Sequence, residues 1–169
     1  PTDLTNANPD PAKAPHVIAN SWGCPEQEGC DTSNFVLLET AVNNLKLAGV
    51  VVVVSAGNDG SGCHTIMNPA SIYTNSFSVG ALANNDTIAG FSSRGSVTSD
   101  GSGRLKPNIV APGHRVTSYW TQGSGVNGFS YVDASGTSMA GPHVAGVVAL
   151  MISADSTLAG DVDRIENLL

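Results

Sequence analysis

Val50-Val51-Val52-Val53-Val54-Ser55-Ala56-Gly57 is the stretch on which the fold turns. Five consecutive valines are apolar at every position rather than at alternate ones, the pattern of a strand buried on both faces, and such strands belong to parallel sheets covered by helices. Just upstream, Leu38, Ala41, Val42, Leu45 and Ala48 recur at helical spacing within residues 35–48. Residues 31–34 supply cap candidates for that helix, and Gly49 can take the left-handed stop. Residues 16–22 are a further strand candidate, so the order is strand, helix, strand. That order implies a right-handed crossover and a parallel pair.

Working outward, residues 57–71 are a glycine-rich loop, and 77–82 and 109–111 are short strands. Residues 116–133, with Gly123, Gly125 and Gly128 between β-formers, suggest a hairpin. Residues 138–154 are apolar almost all round, which predicts a buried helix, and 161–169 suggest a last short one. Residues 1–15 hold four of the nine prolines and suggest an extended loop. The expected class is α/β: three layers, with a mainly parallel sheet flanked by helices.

Hydrophobic residues make up 41% of the chain and charged ones 12%, so it can bury a core and is not a disordered tail. A net charge of −7 repels a phosphate backbone and an anionic bilayer alike, which argues against nucleic acid and membrane as partners. The longest nearly apolar run, residues 144–152, falls well short of the roughly 20 residues that span a bilayer as a helix. The chain opens at Pro1 with no charged-then-apolar leader, as a processed or trimmed product would.

Cys24, Cys30 and Cys63 leave three pairings open. One is a Cys24–Cys30 staple across a surface loop, worth about 2 kcal/mol for so short a ring. A second is a Cys30–Cys63 bridge. The third is a zinc site from the three thiols and His64, which lacks the tight Cys-x-x-Cys pairs of structural zinc. A disulfide would favour an extracellular setting.

The chemistry lies in Ser135-Gly136-Thr137-Ser138-Met139-Ala140-Gly141-Pro142-His143-Val144-Ala145-Gly146. Gly136 lets backbone approach a reactant, and Ser138 stands in the first turn of a helix whose free N–H groups and positive dipole end favour an anion. Pro142 is read as part of that first turn, where its missing N–H costs nothing. His143, five residues after Ser138, is rotated ~140° and raised ~7.5 Å on a helix, so its ring cannot face the hydroxyl. A lone serine at a helix start is ordinarily an N-cap.

The whole twelve-residue stretch resembles the nucleophile signature of the subtilisin-like serine proteases. Further landmarks follow in that family's order: Asn20-Ser21-Trp22-Gly23, Ser55-Ala56-Gly57-Asn58, Phe91-Ser92-Ser93-Arg94-Gly95 and Lys106-Pro107-Asn108-Ile109-Val110-Ala111-Pro112-Gly113. The resemblance runs from about residue 17 to 152. It implies a subtilisin-like fold, incomplete in this chain, with residues 1–169 forming the C-terminal, serine-bearing part of a single peptidase domain. It implies Ser138 as the nucleophile, with its backbone N–H and the Asn58 side chain as the two arms of an oxyanion hole. Ser21, Trp22 and Gly23, with Ala56 and Gly57, would line the cleft where a polypeptide substrate lies as an added strand. Met67 would fall near the base of the pocket for the residue before the scissile bond.

Neither a His-Gly-Thr-His nor an Asp-Thr-Gly or Asp-Ser-Gly setting occurs in the chain. Because subtilisin-like enzymes run in the order Asp, His, Ser, both partners are expected before Pro1. Without them a serine hydroxyl is a poor nucleophile, and the chain alone is expected to be inactive. The N-terminal half of the domain is therefore the expected partner. In its absence a strand edge near residues 50–54 is expected to lie open and to drive dimerisation or strand exchange.

No cofactor is required by the resemblance, although structural calcium is common in the family and the loop at 70–76 resembles a weak site. Secretion is expected. Asn85-Asp86-Thr87 fits a glycosylation acceptor. The rival readings are weaker. Gly136 to Ala140 approaches a lipase nucleophile elbow, but no histidine follows His143. Gly57, Gly60 and Gly62 lack the order and the following helix of a nucleotide-binding loop. The alternative of another class is a non-catalytic binding or scaffold protein on the same fold.

Overall fold

The valine run is the middle of a parallel sheet. The computed structural model describes residues 10–121 and 129–169, with side-chain surroundings described for 10–120 and 130–169; residues 1–9 and the glycines at 123, 125 and 128 lie outside them. The chain runs β1 (Val17–Asn20), α1 (Phe35–Leu47), β2 (Val51–Ser55), β3 (Phe77–Leu82), β4 (Ile109–Pro112), β5 (Val116–Thr121), β6 (Phe129–Ala134), α2 (Thr137–Ala154) and α3 (Val162–Leu168). One sheet has the order β1-β2-β3-β4, and every neighbouring pair is parallel. Val17 pairs with Val51, Val53 with Phe77 and Val79 with Ile109. β5 and β6 form the separate antiparallel hairpin.

Because side chains alternate across a strand, the valines divide between two cores. Val51 and Val53 face β3 residues Val79 and Ala81 and the α2 residues Ala140, Val144 and Val148. Val52 and Val54 face Val42 of α1 together with Ile66, Ile72 and Tyr73. All of β2 is buried, and each fully buried valine is worth about 1.5–3 kcal/mol of apolar transfer. The α/β class with helices on both sides of a parallel sheet is therefore present.

Several local expectations need correction. β2 has β1 on one side and β3 on the other, so the valine strand is no edge; among the described residues the open edges belong to β1 and β4. The crossover through α1 lays β1 parallel along that side of β2. β1 stops at Asn20, paired with Val54, so Ser21, Trp22 and Gly23 leave the ladder instead of continuing to residue 22. In α1, Val42 is buried and Leu38 and Leu45 pack beneath it, whereas Ala41 and Ala48 face outward with Leu37 and Leu47. Gly49 closes that helix at φ 78°.

α2 is buried along one side only. Ala140, Gly141, Val144, Val148 and Ile152 meet the sheet, while Val147 and Leu150 are 44% and 70% exposed. With 18 residues and a mean hydropathy of 1.3 it is long and apolar enough to cross a membrane by length and composition, although here it lies along the sheet. It also starts at Thr137, which puts Pro142 inside the helix, past the first turn. A residue at 142 would ordinarily donate its N–H to the carbonyl of residue 138, and proline cannot.

Candidate active site

A cavity of about 220 Å³ opens at the carboxyl ends of β1 and β2, against the start of α2. Ligands in open parallel sheets bind at this end of the strands. Ser21, Trp22, Gly23, Ala56, Gly57, Asn58, Met67 and Ser138 all line it, together with Thr137, Asp59, Asn68, Pro69 and Ser71. The candidate nucleophile, oxyanion-hole and cleft residues named from the sequence are thus in one place.

Asn58 follows the last strand residue of β2 by three positions and reaches across to α2. Its side-chain oxygen accepts from the Thr137 backbone N–H at 2.9 Å and from the Thr137 hydroxyl at 3.1 Å. An oxygen held by two donors orients the carboxamide, so the amide nitrogen is the end left over. The carboxamide lies over Gly136, its nitrogen 3.5 Å and its oxygen 3.7 Å from where a Cβ there would stand. Thr137 is fully buried, and its hydroxyl also accepts from the Gly57 N–H at 3.2 Å. Gly57 has φ 108°, and a Cβ on it would sit 2.8 Å from Ser93 Oγ, which is itself bonded to the Asp59 N–H. Only glycine fits that position.

The serine is set from two further directions. Ser21 Oγ donates to the Ser138 carbonyl at 3.1 Å, the group that Pro142 leaves without its helical donor. The Gly136 N–H donates to the Gly113 carbonyl at 2.8 Å, tying the entry of α2 to the end of β4. A Cβ on Gly113 would come within 2.6 Å of Ala81 Cβ, so the close approach needs a glycine.

Thr137 and Ser93 were not singled out in the sequence, although both lie inside quoted motifs. Their neighbourhood with Asn58 and Gly57 is a contact between distant segments, which no local pattern encodes.

No histidine lines the cavity among the described residues. His143 Nδ1 lies 2.9 Å from the Met139 carbonyl on the exposed side of α2. His64 Nδ1 lies 3.0 Å from the Ser96 carbonyl, His114 stacks on Phe91, and His16 is exposed ahead of β1. Cys24 and Cys30 are joined, with Cα atoms 5.5 Å apart, which removes them as zinc ligands; Cys63 is a free, exposed thiol. Among the described residues no group of three or more His, Cys, Asp or Glu side chains could hold a metal ion.

The sequence profile of the subtilase family matches residues 3–168. The chain is 38% identical over 167 residues to bacillopeptidase F of Bacillus subtilis, covering 96% of this chain and 10% of that protein. It is 42% identical over 137 residues to a thermophilic serine proteinase of a Bacillus species, covering 81% of this chain and 28% of that protein. Among solved structures, Sphericase superposes with a TM-score of 0.68 at 31% identity, covering 90% of this chain and 47% of that one. The S41 psychrophilic protease superposes with a TM-score of 0.68 at 30% identity over the same shares. The chain therefore spans at most about half the length of these relatives, and on this sequence and this fold it belongs to the subtilase family.

Proposed function

We propose that this chain is the serine-bearing part of a subtilisin-like endopeptidase domain. Ser138 is the nucleophile that attacks a peptide carbonyl and carries the acyl group. The carbonyl oxygen, negative in the tetrahedral intermediate, is received by the Ser138 backbone N–H and the Asn58 side-chain amide. Ser21, Trp22 and Gly23 on one side, with Ala56 and Gly57 on the other, bracket the substrate backbone as an added strand. The observation that carries this reading is that Thr137 holds the Asn58 oxygen while Asn58 and Ser138 line the same cavity.

The proton-accepting histidine and its orienting aspartate come, on this reading, from a segment of the domain outside residues 1–169. Support comes from the four histidines of the chain, none of which lines the cavity. The chain alone is then inactive, and the complementary half is its first partner, with a self-associating β1 edge when that half is missing. The chemistry uses only side chains and backbone, so calcium has at most a structural part. The Cys24–Cys30 bridge supports a secreted, extracellular setting.

The test is a fluorophosphonate probe applied to this chain with and without the upstream half of its parent reading frame. Labelling at Ser138 is expected only when both are present, and Ser138→Ala abolishes it. A complete domain that takes no label at Ser138 would overturn the proteolytic reading in favour of a non-catalytic binding or scaffold protein.

A further inference from the structure

The loop at residues 70–76 carries one wall of the cavity through Ser71. Resemblance to the family points there to a calcium held by backbone carbonyls, the oxygen ligands such an ion prefers. In this chain four of those carbonyls, of Ala70, Ile72, Tyr73 and Ser76, already have donors. The Ser76 hydroxyl donates to the Ala70 carbonyl at 2.6 Å and the Tyr73 carbonyl at 3.1 Å. Arg104 Nε donates to the Ile72 carbonyl at 3.0 Å, and its Nη1 to the Thr74 hydroxyl at 3.1 Å. Lys106 Nζ donates to the Ser76 carbonyl at 2.5 Å and to Asn108 Oδ1 at 2.8 Å.

Lys106 is an unusual group to find here. It is 7% exposed, and among the described residues no carboxylate lies within ion-pair distance of it. A buried ammonium with no counter-ion is costly unless its protons meet strong acceptors. Its acceptors are a backbone carbonyl and a carboxamide oxygen, the ligand type of a hard cation. Burial pulls its pKa down to about 8, with Glu166 opposing the fall and Arg104 and Lys46 adding to it, so it is charged at neutral pH.

We propose that Lys106 is a tethered cation for the cavity wall: its ammonium, helped by the Arg104 guanidinium, holds the 70–76 loop in the place of a bound calcium, and this loop takes no metal. Residues 104–106 and the pocket wall are thereby one unit. The wall keeps its shape when free calcium is removed, independently of whether Ser138 is a working nucleophile.

Manganese, a paramagnetic stand-in for calcium, tests this on the ¹⁵N-labelled chain. In the native protein the amide signals of Tyr73, Ser76 and Asn108 are expected to show no selective broadening as the metal is added. Lys106→Ala is expected to lower the melting midpoint by several degrees and to gain selective broadening at those three residues. Selective broadening in the native protein, or an unchanged midpoint in Lys106→Ala, overturns the proposal. Should that variant fail to fold, the ammonium of the native protein is the readout. A Lys106 ¹⁵N signal slow to exchange with water supports a held cation, and one exchanging as fast as that of exposed Lys13 overturns it.

Discussion

Asn58 and Thr137 show how one residue is made useful by another. The carboxamide could turn either way, and two donors on Thr137 hold its oxygen and so fix its orientation. On the proposed reading, Asn58→Ala in the complete domain is expected to lower kcat by about 10²–10³ with little change in KM, a range that comes from a subtilisin itself rather than from this geometry. Thr137→Val keeps the shape and the backbone donor but removes the hydroxyl. It is expected to lower kcat about tenfold, the worth of one or two modest hydrogen bonds, again with KM nearly unchanged. Steady-state kinetics on a peptide substrate separates the two, and a Thr137→Val enzyme of full activity would show that the backbone N–H alone sets the carboxamide. Gly57→Ala places a methyl group against Ser93 Oγ at an unfavourable φ, so a loss of about 1–3 kcal/mol in denaturant unfolding is expected.

Elements contribute unequally, and α2 is the plainest case. Val148 and Val147 are neighbours in sequence, yet the first is fully buried against the sheet and the second is 44% exposed. Val148→Ala is expected to cost about 2–3 kcal/mol through lost burial and the cavity left behind, whereas Val147→Ala stays within about 0.5 kcal/mol. Urea unfolding of both variants checks the pair; equal losses would mean that the outward face of α2 is covered in solution. The short Cys24–Cys30 ring lies directly after the cleft residue Gly23. Its reduction is expected to cost about 2 kcal/mol, read as a lower unfolding midpoint under reducing conditions.

Across the whole molecule, α3 is fastened to α1 by charge. Lys46 lies 2.7 Å from Asp163 and 3.1 Å from Glu166. Burial alone would lower its pKa, but the two carboxylates outweigh that and raise it above the usual 10.5. A raised basic group stabilises the fold at every pH below its unfolded value, and this contribution fades as pH climbs past 10.5 through the higher folded value. The melting midpoint of the native protein is therefore expected to exceed that of Lys46→Met at neutral pH, with the gap closing above 10.5. A gap that widened with alkalinity would contradict the ion-pair assignment. At the same scale the open edges of β1 and β4 among the described residues, rather than the paired β2, are where a further strand or a second copy can add.

Much of this was legible from local pattern. A five-valine run, a 3.6-residue apolar repeat and a stop glycine point to β2, α1 and the parallel pairing of β2 with β1 from the sequence alone, because burial on both faces and helical periodicity are properties of neighbours in sequence. Ser138, Asn58 and the residues beside them could be named as candidates because they stand in motifs that resemble the family's, and the structure places them around one cavity. Which side of α2 is buried, which strand forms the sheet edge and how Thr137 holds Asn58 were not legible, since each is a contact between distant segments, 79 residues apart in the case of Thr137 and Asn58. Pro142 shows the division most sharply. Proline at that position always lacks an N–H, but only the place where α2 begins leaves the Ser138 carbonyl without its helical donor, and only the tertiary fold brings the Ser21 hydroxyl to it.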